Sequence, residues 1–267
     1  MTRLLLALLA GLAAAAPVHE VEPTAGRVPN VLITGATGRL GSLLYGQARA
    51  SADIGSVRAF VTNVTKAKAY LNCSKCDASE GIFVGDVTDK ASLAAAMAGV
   101  DAVLVAVGAS PGDSADKQRA VEFDGVENTV AALYGAPGAT APASRQVVLC
   151  SSMGTTAPDP SPQEGGSILF WKLNAEAALL SASLKGVVVK PCGLDMGDGG
   201  KKALAVGRDD ALLDELKVPV MPRADVARVM LRTVARGDAK LRFDLCAKMV
   251  GAPTTDLDAL IDAAAYP

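Results

Sequence analysis

The sequence of 267 residues contains a single histidine, His19, within an amino-terminal segment that has the pattern of a leader. Without that segment the mature chain has no imidazole. A Ser-His-Asp hydrolase, a cysteine protease with a histidine base and a zinc site built on histidine are then excluded, because each needs imidazole as base or ligand. We expect no metal site, and any catalysis has to use Lys, Tyr, Ser, Asp or Glu, or a cofactor.

An excess of charge of either sign is also missing, since 26 basic residues face 28 acidic ones for a net charge of −2. The charge balance gives no reason to expect nucleic acid or an anionic membrane surface as a partner. Hydrophobic residues make up 50% of the chain, which is enough for a full core. The composition therefore predicts a globular protein that binds a small molecule.

The sequence has no apolar run long enough to span a membrane. The run from Leu4 to Ala16 is shorter than the about 20 residues that a spanning helix needs. Residues 1–16, with one positive charge at Arg3 and small residues after the run, have the order of a signal or targeting peptide. Residues 17–29 hold three prolines and are interpreted as a linker or a second targeting element. The leader predicts delivery to the secretory pathway or to an organelle such as a plastid.

From residue 30 onwards, short β-branched runs alternate with longer helical patterns. Helices are predicted to begin near residues 38, 64, 90, 116, 167 and 223. Strands are predicted over residues 31–34, 57–61, 81–84, 102–107, 146–151, 187–190 and 240–246. Strands separated by helices imply right-handed crossovers and a parallel sheet covered on both faces. We therefore predict an α/β fold for residues 30–267: a doubly wound (Rossmann) sheet, with a small carboxy-terminal substrate lobe after Pro191.

A glycine-rich loop follows the first predicted strand, where Gly35, Gly38 and Gly41 have the spacing Gly-x-x-Gly-x-x-Gly. A tight turn after a strand, close passage of a pyrophosphate and packing of the next helix each need a residue without a side chain. The amides at the start of that helix can hold the phosphate charge. The pattern predicts a bound dinucleotide, and a purely structural glycine turn is the alternative.

Seven motifs, in the same order along residues 30–234, resemble those of the atypical short-chain dehydrogenase/reductases, especially the NAD(P)-binding NmrA-like and isoflavone-reductase-like group. They are residues 34–41, 85–87, 101–108, 151–152, 171–176, 190–194 and 222–227. The resemblance implies a Rossmann fold that binds NAD(P). The cofactor contacts that it implies are Gly35, Thr37, Gly38, Arg39, Leu40, Gly41, Asp86, Val87, Ala106, Val107, Gly108, Lys172, Pro191, Gly193 and Leu194.

Asp86 follows the third predicted strand. The resemblance implies that its carboxylate accepts a hydrogen bond from the adenine amino group, and a turn or helix cap is the alternative.

The end of the second strand bears on the choice between NAD and NADP. NAD binders typically place an acidic residue there, whereas NADP binders supply positive charge for the 2′-phosphate. This chain has no acid there, and Thr62 stands where relatives often carry arginine. Arg39, Thr62, Asn63 and Lys66 remain as partners for the 2′-phosphate. The sequence favours NADP, with NAD possible.

The usual catalytic tyrosine of the broader family is absent. That family uses Ser, Tyr and Lys, with the tyrosine four residues before the lysine. Aligned on Lys172, the tyrosine position holds Ile168. Ser152 is the candidate for binding a substrate carbonyl, and Lys172 is the candidate acid or cofactor-positioning group. The alternative for Lys172 is a surface pair with Glu176, one helical turn later.

Two functions are compatible with these residues. The first is an NADP-dependent oxidoreductase that acts on a small carbonyl-type substrate. The second is a dinucleotide-binding protein without catalysis, which senses redox state or holds a protein partner. The missing tyrosine favours the second function, whereas Ser152 and Lys172 favour the first.

The cysteines and one charged pair are interpreted as structural. Cys73 and Cys76 have Cys-x-x-Cys spacing without a second pair, so a four-cysteine zinc site is disfavoured; they form a disulfide in an oxidising compartment or remain surface thiols in a reducing one. Cys150 and Cys192 fit small buried apolar side chains. Arg223 and Asp225 resemble the family's helix-starting turn.

Overall fold

The computed structural model describes residues 27–138, 140–156, 168–216 and 219–265. The predicted leader at residues 1–16, His19 and most of the predicted linker at 17–29 lie outside these ranges, and so do residues 157–167 of the loop after Ser152.

Ten strands are present in the described residues: β1 (Val31–Thr34), β2 (Val57–Val61), β3 (Ile82–Val84), β4 (Ala102–Val105), β5 (Gln146–Cys150), β6 (Lys185–Pro191), β7 (Gly193–Asp195), β8 (Leu204–Gly207), β9 (Val220–Pro222) and β10 (Leu241–Ala247). Eight of them form one sheet in the order β3-β2-β1-β4-β5-β6-β10-β8. Every pair in it is parallel except β10 with β8. The separate sheet pairs β7 with β9. The predicted doubly wound fold is confirmed.

Eight helices lie between strands in sequence and α9 follows β10: α1 (Gly41–Ala50), α2 (Val64–Leu71), α3 (Ala94–Met97), α4 (Ala115–Arg119), α5 (Gly125–Gly135), α6 (Ile168–Ser181), α7 (Ala211–Glu215), α8 (Arg223–Arg236) and α9 (Leu257–Asp262), counted in the described residues. A π-helical turn at residues 120–124 joins α4 to α5. No helix in the described ranges is both long and apolar enough to cross a membrane.

The sheet is buried on both faces. Along β1, Ile33 belongs to a core cluster shared with α1 and α8, whereas Leu32 belongs to a second cluster shared with α5 and α6. Strands covered on both sides are apolar without alternation, as β1 and β4 are. The carboxyl ends of β1, β4, β5 and β6 therefore meet at one edge between the helical layers, where open α/β sheets bind ligands.

All seven predicted strands are present, but a boundary was wrong and three strands were missed. The strand predicted to reach residue 107 ends at Val105, although Ala106 still donates its N–H to the Thr34 carbonyl at 3.1 Å. The strands β7, β8 and β9 were not predicted. After Pro191 the chain adds β10 and the antiparallel β8 to the main sheet, and the two-stranded β7–β9 sheet is the part that lies outside it.

Candidate functional site

The glycine loop is closed tightly against the end of β4. Gly35 has a φ of +69°, and a Cβ there would lie 2.6 Å from the Ala106 carbonyl oxygen. A Cβ on Gly41 would lie 2.1 Å from the Gly35 carbonyl oxygen, and the Gly38 N–H donates to that same oxygen at 2.8 Å. Only glycine fits at Gly35, which lies against Ala106, and at Gly41, which lies against Gly35.

The first turn of α1 can bind an anion. No side chain caps this helix, and its first turn contains no acidic residue. The first N–H groups of a helix generally have no partner within the helix and carry partial positive charge. In α1 the Ser42 N–H already donates to the Gly38 carbonyl at 2.9 Å, so an anion would use the N–H groups that precede it. Gly38 and Arg39 beside them are exposed, and Thr37 is half-buried. Leu40 is buried in the core, so its side chain packs inside the protein.

The residues predicted for the adenosine side lie at the ends of β2 and β3. Thr62 and Asn63 are exposed, and the Asn63 side chain caps α2 by accepting from the Lys66 N–H at 3.0 Å. Asp86 Oδ1 accepts from the N–H and the hydroxyl of Thr88 at 2.9 and 2.8 Å. The turn-cap interpretation of Asp86 therefore describes a contact that exists, and Oδ2 remains to accept another hydrogen bond.

Val87, predicted beside Asp86, has a buried side chain. A Cβ on Gly125 would approach its Cγ2 to 2.8 Å, and its carbonyl accepts from Asn128 Nδ2 at 3.0 Å. These contacts tie the segment after β3 to α5.

A buried ion pair holds Lys172 at the carboxyl edge of the sheet. Lys172 Nζ lies 2.8 Å from Glu122 Oε2, and the two side chains are only 14% and 2% exposed. The other oxygen, Oε1, accepts from the Ala109 N–H at 2.8 Å. Glu122 thus connects Lys172 to the backbone just after Gly108, where the predicted stretch Ala106, Val107 and Gly108 leaves β4.

The alternative for Lys172, a surface pair with Glu176, is not formed, since Lys172 pairs with Glu122. Glu176 is buried and accepts from the Ser151 hydroxyl and, at 2.8 Å, from Arg242 Nε. Glu122 was missed, although one signal was available. It precedes Val126 by four residues, so a carboxylate falls on the helix face that carries buried apolar residues. The π-helical turn that contains it is a feature frequent at functional sites.

The two serines after β5 have different surroundings. Ser151 is buried and its hydroxyl donates to Glu176. Ser152 is half-buried and donates to the Met153 carbonyl at 2.8 Å, which leaves its oxygen able to accept another hydrogen bond.

A disulfide fixes the turn after β6. Cys192 is bonded to Cys246 of β10, so the interpretation of Cys192 as simple apolar packing is wrong. The Cys192 N–H donates to the Leu245 carbonyl at 3.0 Å and the Gly193 N–H donates to the Pro219 carbonyl at 2.8 Å. The predicted contacts Pro191, Gly193 and Leu194 therefore belong to a covalently anchored turn.

The other cysteines are a second disulfide and a free thiol. Cys73 and Cys76 are bonded, which is the predicted alternative for an oxidising compartment. Cys150 is a buried free thiol, as interpreted, and burial raises its pKa to about 11.

Lys190 is a buried lysine whose ion pairs the sequence analysis did not predict. Lys190 Nζ, at the end of β6, lies 2.6 Å from Asp210 Oδ1, 3.2 Å from Asp244 Oδ1 and 2.9 Å from Thr156 Oγ1. Burial raises the pKa of Asp244, whose carboxylate is completely covered, while Lys190 opposes that shift. This cluster connects β6 to three other segments, namely the loop after β5, the residue before α7, and β10.

Known proteins resemble the chain over most of its length. The model of a family described as NAD(P)H-binding matches residues 35–236. An uncharacterised chloroplastic protein of Arabidopsis thaliana is 33% identical over 247 residues, which cover 86% of this chain and 74% of the relative. Sanguinarine reductase of Eschscholzia californica is 27% identical over 270 residues, with 89% of this chain and 96% of the relative covered.

Solved structures share the fold. A protein described as an NAD-dependent epimerase/dehydratase of Bacillus halodurans aligns with a TM-score of 0.69 at 22% identity, covering 88% of this chain and 99% of that one. An anaerobilin reductase of Escherichia coli aligns with a TM-score of 0.62 at 20% identity, covering 83% and 98%. The chain belongs to the family described as NAD(P)H-binding and has a Rossmann fold, as its resemblance to the atypical short-chain dehydrogenase/reductases predicted.

Proposed function

We propose that the protein is an NADP-dependent oxidoreductase that acts on a small carbonyl-type substrate. The observation that carries this proposal is the buried Lys172–Glu122 pair, which holds an ammonium group at the ligand-binding edge of the sheet. Removing a lysine and a glutamate from water costs free energy. Hydrophobic residues at the two positions would often stabilise the fold equally well or better. The names of two similar proteins, sanguinarine reductase and anaerobilin reductase, support a reductase.

The residues at this edge fit a dinucleotide. The uncapped first turn of α1 suits a pyrophosphate, because its N–H groups are without a side-chain or acidic partner. At the adenosine side, an exposed arginine and the absence of an acid suit a 2′-phosphate better than a free 2′-hydroxyl. The residues proposed to hold NADP are Gly35, Thr37, Gly38, Arg39, Leu40, Gly41, Thr62, Asn63, Asp86, Val87, Ala106, Val107, Gly108, Lys172, Pro191, Gly193 and Leu194, with Leu40 and Val87 contributing backbone rather than side chain.

The chain's own groups then have defined tasks. Ser152 donates a hydrogen bond to the substrate carbonyl oxygen in place of its bond to Met153. Lys172 supplies positive charge, and a proton, where negative charge develops on that oxygen. One oxygen of Glu122 orients the Lys172 ammonium. The other accepts from the Ala109 N–H and so holds the backbone on the ribose side of the cofactor. The bound cofactor supplies the hydride.

The test is calorimetric titration of the leader-free protein with NADPH and NADH, followed by NADPH oxidation with a panel of aldehydes, ketones and quinones. We expect NADPH to bind more tightly than NADH and Arg39→Ala to remove that preference. Lys172→Ala should lower kcat/KM by about 100-fold. Lys185→Ala is the matched control and should retain activity. Lys185 begins β6, at the end opposite to the candidate site, and its Nζ donates to the Gly237 carbonyl.

A second candidate is the non-catalytic dinucleotide-binding protein, which the missing tyrosine favours, because Ile168 at that position cannot transfer a proton. NADPH binding without turnover of any compound in the panel would support this candidate and reject the oxidoreductase. Absence of binding to either cofactor would reject both.

We also propose that residues 1–16 direct the chain to an organelle. The chloroplastic relative supports a plastid, and the two disulfides support an oxidising compartment, since disulfides are rare where thiols are kept reduced. A fluorescent fusion of the full chain, compared with a fusion lacking residues 1–16, tests this. Cytosolic fluorescence of the full chain would contradict it.

A further inference from the structure

Arg223 begins α8, directly after β9, and its side chain reaches the turn that follows β6. Its Nη1 donates to the carbonyls of Leu194 and Asp195 at 3.0 and 3.1 Å. Both bonds use the same nitrogen, which leaves Nε and Nη2 available to donate to a ligand. The structure thus places a guanidinium beside Leu194, at the carboxyl edge of the sheet.

This guanidinium is largely buried and forms no salt bridge with a described residue. Arg223 is 9% exposed, and no carboxylate of the described residues lies within 4.0 Å of it. Buried charges in proteins are normally paired, because an unpaired charge removed from water costs much free energy. Burial lowers the pKa of Arg223 and the nearby charge of Arg39 lowers it further, while Asp195 acts in the opposite direction. The positive charges of Arg223 and Arg39 therefore lie near each other where water has little access to the Arg223 side chain.

Packing of α8 against α1 fixes where this charge lies. Gln47 of α1 donates its Nε2 to the Ala224 carbonyl at 3.0 Å, so the first turn of α8 is tied to the helix that starts at the glycine loop. On the other side, Arg223 acts electrostatically on Cys150, the last residue of β5. The guanidinium is therefore near enough to Arg39 of the glycine loop and to the end of β5 for their charges to interact, on the side of the sheet where a dinucleotide bound at α1 would lie.

We propose that Arg223 binds the pyrophosphate of the dinucleotide, at the phosphate on the nicotinamide side, and that this anion neutralises the buried guanidinium. The inference rests on the proposed function and adds a residue that the sequence pattern assigned to a structural turn. Arginine suits the task because its planar donors match phosphate oxygens. A single bond from Nη1 to each of two carbonyls leaves the outer donors pre-oriented for the ligand. The same bonds connect occupancy of the phosphate site to the turn that holds Gly193 and Leu194.

Fragment binding separates this role from that of Arg39. ADP-ribose contains the pyrophosphate without a 2′-phosphate, whereas 2′,5′-ADP contains the 2′-phosphate and only the adenosine-side 5′-phosphate. We expect Arg223→Gln to weaken ADP-ribose and NADPH by at least about tenfold, the loss typical of a charge-assisted hydrogen bond, and to change 2′,5′-ADP less than about twofold. Arg39→Gln should weaken 2′,5′-ADP and leave ADP-ribose unchanged. Arg232→Gln, which removes a partly exposed arginine further along α8 that pairs with Asp258, is the control and should leave the affinity for both fragments unchanged.

Other results would overturn the inference. If Arg223→Gln leaves ADP-ribose and NADPH binding unchanged and raises KM for a substrate, Arg223 binds the substrate instead. If it weakens both fragments equally and lowers the melting temperature, its role is to hold the turn after β6. Arg223→Lys retains the charge, so it should fold and lose less affinity for ADP-ribose than Arg223→Gln; equal loss would contradict a charge role. If the wild-type chain binds no dinucleotide, the proposed function itself is wrong.

Discussion

Glu122 and Lys172 form their ion pair across two helical segments, with Nζ and Oε2 2.8 Å apart and the carboxylate almost fully buried. The carboxylate has a second task, since its other oxygen accepts from the Ala109 N–H in the loop that follows β4. One side chain therefore positions both the ammonium and the backbone that is proposed to line the cofactor ribose. A residue with two such contacts is difficult to replace, even by an isosteric amide.

Glu122→Gln should lower kcat/KM for NADPH oxidation by at least about tenfold. The amide keeps an oxygen for Ala109 but removes the charge that holds Lys172, and a lysine left unpaired in a buried place destabilises the fold by up to about 3–5 kcal/mol. Because Lys172 is 14% exposed, we expect the lower end of that range. Steady-state kinetics and urea unfolding of the same preparation measure both effects.

Glu127→Gln is the matched control, because Glu127 is exposed on α5, a little more than one turn beyond Glu122. It should change neither activity nor unfolding free energy by more than about 0.5 kcal/mol. Activity of Glu122→Gln equal to that of wild type would show that the pair only supports the fold.

Gly41→Ala should abolish NADPH binding and destabilise the protein by about 1–3 kcal/mol. Its Cβ would lie 2.1 Å from the Gly35 carbonyl oxygen and 2.7 Å from the carbonyl carbon, so the loop has to move. The movement would displace the N–H groups at the start of α1. Calorimetric titration with NADPH and urea unfolding check the two parts.

Gly46→Ala, on the same helix, is the comparison. No atom lies within 4 Å of a Cβ added there, so the change should stabilise α1 by about 0.5–1 kcal/mol and leave NADPH affinity unaltered. A loss of binding in Gly46→Ala as large as in Gly41→Ala would show that any alanine in α1 interferes.

The elements that the sequence predicts best are those whose signal is local. The strand at 31–34, the glycine spacing and the apolar positions of α1 lie within 20 residues, and each follows from turn and helix chemistry. β8 and β9 are short and have weak local patterns. Their existence depends on partners far along the chain, such as the antiparallel pairing of Leu204 with Ala247. Only the assembled sheet supplies those partners.

The candidate site shows the same division. Lys172 is recognisable by its motif, but its partner depends on how α6 packs against the π-helical turn, which no spacing rule gives. The surroundings of Arg223, which the sequence interpreted as structural, also depend on distant elements. Its burial without a carboxylate becomes visible only when α8, β7 and the glycine loop are in place.

The two disulfides should contribute unequally to stability. Cys192–Cys246 closes a sequence separation of 54 residues, whereas Cys73–Cys76 closes one of 3. The chain-entropy estimate gives about 4 kcal/mol for the first and about 2 kcal/mol for the second. Urea unfolding of Cys192→Ala/Cys246→Ala and of Cys73→Ala/Cys76→Ala measures these losses. Similar losses in the two variants would contradict the loop-length argument.

Asp258 should make the attachment of α9 to α8 sensitive to acid. Hydrogen bonds from Arg232, and then from Arg236, lower the pKa of Asp258 from 3.8 to about 2. A carboxylate whose pKa is lower in the folded state stabilises the fold above its unfolded pKa, and this contribution disappears as the pH falls from about 4 to about 2. Asp258→Asn should therefore lower the melting temperature at pH 7, and the difference from wild type should shrink steadily below pH 4. Asp214→Asn, at an exposed position of α7, should show no such convergence. A difference for Asp258→Asn that is as large at pH 2.5 as at pH 7 would mean that the carboxylate charge contributes nothing to holding α9.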